Sequence, residues 1–98
     1  MHASIWRFRG HPDELLRSYD SMVKEISRGN MKLHLCLRAE DGIVVVDTCP
    51  TREAFDAFVA NPDVRMLRER HRLPEPKSIE DFPVAVAFVA GQAIAAVG

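Results

Sequence analysis

Stretches with a hydrophobic period of two alternate along this chain with stretches whose period lies between three and four, and their order outlines a fold. From Ala3 to Arg9 the pattern is that of a strand, with Ala3 and Ile5 on one face, Ser4, Trp6 and Phe8 on the other, and Gly10 at its end. Pro12, Asp13 and Glu14 then open a helix, because proline lacks only a donor that the first turn leaves unpaired and the acids suit the positive end of the helix dipole. Leu15, Leu16, Tyr19, Met22, Val23 and Ile26 recur at helical spacing, which predicts a helix from Pro12 to Ser27 with Arg17, Asp20, Lys24 and Glu25 outside. Ser27-Arg28-Gly29-Asn30 stops it.

The stretch from Met31 to Thr51 reads as two strands joined at Asp41-Gly42, a dipeptide that tolerates the positive φ of a tight hairpin turn. That turn sets Glu40 opposite Ile43, Arg38 opposite Val45, Cys36 opposite Asp47 and His34 opposite Cys49. Two unlike faces follow. Leu33, Leu35, Leu37, Val44, Val46 and Thr48 make an apolar face suited to covering helices, whereas His34, Cys36, Arg38, Val45, Asp47 and Cys49 make a mixed one where chemistry can sit. Thr51 is the expected N-cap of a second helix with Phe55, Phe58 and Val59 as its buried stripe. Asn61-Pro62 interrupts it, and Val64, Leu67 and His71 continue as a kinked or separate helix before Leu73-Pro74-Glu75-Pro76 forces extended chain. Phe82 to Ala90 is expected to be the last strand, buried on both faces.

Strand, helix, strand, strand, helix, strand, with short right-handed connections, predicts a ferredoxin-like α+β fold: an antiparallel sheet of strand order 4-1-3-2 with its helices on one face. One domain over residues 1–90 and a tail over 91–98 are expected. The face bearing Trp6, Phe8, Cys36, Val45 and Cys49 would then lie open, too apolar for water, and a homodimer closing through it would enclose a cavity.

Composition narrows the function classes. The chain has 98 residues, 47% hydrophobic and 28% charged, as an ordinary globular domain does, and its net charge of −1 offers no global field to nucleic acid or to an anionic membrane. RNA-recognition domains share this element order but stack bases on aromatics of the third strand, and IVVVDTC has none. The start MHASIWRFRG is too short and charged for a signal peptide, no apolar run is long enough for a membrane span, and the two cysteines are expected as unpaired thiols of a cytoplasmic protein.

His34 is the candidate catalytic residue, since histidine titrates near neutrality and suits a phenolic or enolic proton. Trp6 offers a flat cavity wall, Arg38 and Asp47 set polarity, and Cys36 and Cys49 complete the candidate substrate-binding set. His34, Cys36, Asp47 and Cys49 are metal-ligand types, but cross-strand neighbours seldom converge tetrahedrally and no C-x-x-C or H-x-x-x-H spacing is present, so no metal and no cofactor are expected. Arg65, Arg68, Arg70, His71 and Arg72 read as a solvated helix end that suits the dipole.

In element order over residues 1–90, and locally in Asp47-Thr48-Cys49-Pro50-Thr51-Arg52-Glu53-Ala54-Phe55, the chain resembles the dimeric α+β barrel superfamily, whose small members include the antibiotic-biosynthesis monooxygenases. Members often carry an aromatic residue two positions after the acid, where Cys49 stands here. Activities in that group range over cofactor-free oxygenation of polycyclic phenols, haem degradation, lactone isomerisation and ring closure. The resemblance implies a cofactor-independent monooxygenase or isomerase on a small apolar or aromatic substrate, with a non-catalytic ligand-binding or scaffold dimer as the alternative.

Overall fold

Residues 1–26 and 31–94 are described by a computed structural model of the chain. The elements run β1 (His2–Arg9), α1 (Pro12–Val23), β2 (His34–Ala39), β3 (Gly42–Cys49), α2 (Arg52–Ala60), α3 (Pro62–Arg70) and β4 (Ser78–Pro83), followed by two short strands, β5 (Phe88–Val89) and β6 (Gln92–Ala93). The main sheet is antiparallel with order β2-β3-β1-β4, the topology the sequence predicts. Local chemistry explains the breaks. Pro12 sits in the first turn of α1, Thr51 accepts from the Ala54 amide to cap α2, and Asn61 ends α2 while its side chain accepts from the Asp63 amide to start α3.

The helices cover the opposite sheet face from the one expected. Trp6, Phe8, Ile43 and Val45 are buried against Leu15, Tyr19 and Met22 of α1, Phe55 of α2 and the loop residue Leu73. The aliphatic set is left outside, with Leu35 44% and Leu37 46% exposed and Val44 and Val46 half-buried. Side-chain size accounts for the choice. Strand β1 offers two large aromatics on one face and only Ala3 and Ile5 on the other, and an aromatic ring buries about 150–250 Å². Trp6 meets Phe55 and Phe58 edge to face at 6.4 and 6.0 Å, so the rings of strand and helix interlock.

The hairpin register also differs, by two residues. Ala39 pairs with Gly42, so Glu40 and Asp41 occupy the turn and neither takes positive φ. Gly42 is drawn into the strand because β1 passes close over it, and a Cβ there would lie 1.8 Å from the Phe8 carbonyl oxygen. Face membership survives a shift of two, but every cross-strand partner changes, and His34 now stands opposite Asp47 rather than Cys49.

The last strand is shorter and earlier than expected. Pairing with β1 ends at Pro83, which has no amide to donate, and the chain leaves the sheet after the Val84 amide bonds to the Met1 carbonyl at 3.0 Å. Strands β5 and β6 form a separate hairpin about Ala90-Gly91, with Phe88 exposed rather than buried. The first helix ends at Val23, and the expected stop at 27–30 lies outside the described residues, as do 95–98. Among the described residues no helix is long and apolar enough to cross a membrane.

Candidate functional site

The shifted register builds a polar chain into an otherwise apolar layer. His34 opens β2 and faces Asp47 of β3, its Nδ1 3.2 Å from Asp47 Oδ1, close enough for charge contact though off-line for a hydrogen bond. The carboxylate is held by the Thr48 amide, which donates to Oδ1 at 2.8 Å. On the other side of the imidazole, Nε2 is 2.5 Å from the Tyr19 hydroxyl of α1, and the two rings lie nearly parallel at 9°. Burial, followed by the neighbouring Cys36 and Asp47, pushes the Tyr19 phenol well above the usual tyrosine range. Tyr19 therefore stays protonated, and the hydroxyl donates to Nε2 in the tautomer that carries the imidazole proton on Nδ1, on the side of Asp47.

This chain borders a cavity of about 60 Å³ between sheet and helices, walled by Trp6, Phe8, Met22, Val45, Phe58 and Leu67. A second chamber of about 140 Å³ shares Trp6, Ile26, Met31, Asp47 and Phe58 with the first and extends it past Ser4 to Cys49. The Trp6 indole N–H donates to Ser4 Oγ at 2.9 Å, which locks the ring as a wall with no unsatisfied donor.

Of the residues chosen from sequence, His34, Asp47 and Trp6 meet at the first chamber and Cys49 lines the second. Cys36 packs partly buried against the core beside them, and both cysteines are free thiols that burial pushes upward. Arg38 lines neither chamber. It is exposed and paired with Asp13 at the surface, because its position beside the turn carries it past the edge of α1. The helical spacing places Tyr19 on the buried stripe of α1 with its hydroxyl at a polar edge, and that this edge is His34 depends on how α1 crosses β2.

No family model matches the chain, and no curated protein does. A solved structure does match: a protein of Chloroflexus aurantiacus J-10-fl, provisionally described as an antibiotic biosynthesis monooxygenase, superimposes with a TM-score of 0.59 at 16% identity over 86% of this chain and 93% of that one. The chain has a ferredoxin-like α+β fold, which it shares with that structure. At 16% identity the likeness to that protein is one of fold alone.

The buried phenol has a measurable consequence. A group whose folded pKa is raised contributes stability that is complete below its unfolded value, about 10 for tyrosine, and is lost as pH rises toward the folded value. The two thiols act with the same sign from about pH 8.5. The urea midpoint should hold through neutral pH, slip above the thiol range and fall more steeply beyond about pH 10. Tyr19→Phe should flatten that steep limb, and an unchanged alkaline profile in this variant would show that Tyr19 does not carry it.

Proposed function

We propose that this protein is a cofactor-independent oxygenase or isomerase acting on a small, largely apolar aromatic or enolisable compound held between the sheet and the helices. The observation that carries this reading is the Tyr19–His34–Asp47 chain at the wall of an apolar cavity. A phenol or enol entering beside Trp6 delivers its proton to the imidazole, either directly at Nε2 after the Tyr19 hydroxyl turns away or through that hydroxyl as a relay. Asp47 stabilises the imidazolium that forms. The product is a carbanion-like phenolate or enolate in a site of low dielectric, an electron-rich species that can be attacked by dioxygen or reprotonated at a different carbon. The two chambers together are small beside the 300–1,000 Å³ of a typical drug-sized site, which favours a one-ring substrate over a polycycle.

The test is oxygen uptake and product formation over a panel of one-ring phenols, quinols and unsaturated lactones. His34→Ala should lower turnover by about 10²–10⁴-fold, the usual contribution of a positioned acid–base group, with its thermal melt close to that of the parent. Turnover unaffected by this substitution removes His34 from the reaction. Tight binding with no turnover of any panel member assigns the chain instead to the non-catalytic ligand-binding class.

The working unit in this reading is a cytoplasmic homodimer, formed through the sheet face opposite the helices rather than through the Trp6 face. Its support is the apolar content of that face, where Ile5, Leu35, Leu37, Val44, Val46 and Phe82 lie side by side across four strands with Phe82 52% exposed. Two unpaired thiols fit a reducing compartment.

A further inference from the structure

Five of the described arginines pair with a carboxylate: Arg7 with Glu80, Arg38 with Asp13, Arg52 with Asp56, Arg65 with Glu69 and Arg70 with Glu25. A sixth, Arg68, donates to the Pro74 carbonyl. The remaining three, Arg9, Arg17 and Arg72, make no side-chain hydrogen bond or ion pair among the described residues, and all three line one groove. The groove has a volume of about 560 Å³ and lies between the end of β1, the first turns of α1 and the loop after α3, away from the His34 cavity. His11, Ser18 and a single acid, Glu14, complete its polar lining.

We propose that this groove binds a small polyanion carrying two or more phosphate or carboxylate groups. Guanidinium presents its donors in a planar fork that matches both oxyanions, and three such forks from three separate elements converge on one concavity of small-molecule size. Asp13, whose carboxylate also feels Arg17, is paired with Arg38. The amino-terminal end of α1 adds partial positive charge of the same sign.

Arg72 is also held where arginine is not the residue the backbone favours. It adopts φ of 60° just past α3, where the Leu73 amide returns to the Arg68 carbonyl at 2.9 Å, a helix ending in which glycine is preferred. Leu73, 2% exposed, pins that loop to the core, so the guanidinium is carried on fixed chain. Arg72→Gly therefore removes the charge while easing the backbone.

The experiment is calorimetric titration of the full chain with pyrophosphate and with citrate at physiological ionic strength. Saturable binding of one or both is expected, and the preferred probe tells phosphate from carboxylate chemistry. Arg72→Gly and Arg17→Gln should each weaken it about tenfold, in keeping with hydrogen bonds to charged groups, with Arg72→Gly melting no lower than the parent. Arg52→Gln, on the surface of α2, should leave it unchanged. The proposal is overturned if neither anion saturates at millimolar concentration, if Arg72→Gly and Arg17→Gln bind as the parent does, or if Arg52→Gln weakens binding equally.

Discussion

Gly42→Ala should cost this domain about 3 kcal/mol, with a fall in Tm of roughly 10–20 °C, although it adds one methyl group. The Cβ would sit 1.8 Å from the Phe8 carbonyl oxygen and 2.9 Å from its carbon, both backbone atoms of a paired strand that cannot turn aside as a side chain would. Relief requires β1 and β3 to part where Arg9 faces Gly42. Phe8, buried over that point, would lose its packing with them. Differential scanning calorimetry of the variant decides it. As a control, Gly91→Ala meets no atom within 4 Å but sits at φ of 78°, so any loss there reflects backbone strain in an exposed hairpin and should be much smaller. Equal melting of Gly42→Ala and the parent would mean that the two strands are not held this closely.

Val45→Lys and Val46→Lys, adjacent in sequence, should fail in opposite ways. Val45 is 4% exposed inside the helix–sheet core among apolar walls, and burying an ammonium there costs several kcal/mol from a total of roughly 5–15 kcal/mol. That variant should be largely unfolded by circular dichroism. Val46 lies on the sheet face without helices, so its lysine should keep the secondary structure and melt near the parent while converting a dimer to monomer in sedimentation velocity. A parent that sediments as a monomer at micromolar concentration defeats the dimer reading, and a folded Val45→Lys defeats the account of the core.

Much of this architecture was legible along the chain because local rules decide it. The proline and acids at 12–14, the cap at Thr51 and the break at Asn61-Pro62 each act within one helical turn, and each helix they open begins where expected. The strand order followed from connection lengths and handedness. His34, Asp47 and Trp6 were recognisable as a set because their chemistry and alternation put them on one side of the sheet, and the two cysteines shared that side.

What the sequence could not decide was which face the helices would cover and which residues would stand opposite one another. The regular aliphatic alternation of Leu33, Leu35, Leu37, Val44 and Val46 looked like a core face, yet the choice was made by a different strand, where Trp6 and Phe8 bury more area against α1 and α2 than the aliphatic set can. The turn followed the same logic. Asp41-Gly42 was a sound hairpin signal by local preference, but the near approach of Phe8 claimed the glycine for the strand and moved the turn back to Glu40-Asp41. Pattern and capping are properties of neighbours in sequence, and they determined the elements and their order. The covered face, the Tyr19–His34–Asp47 chain and the arginine groove depend on contacts between residues far apart in the chain, where packing volume and steric clearance, rather than local propensity, decide which arrangement has the lowest free energy.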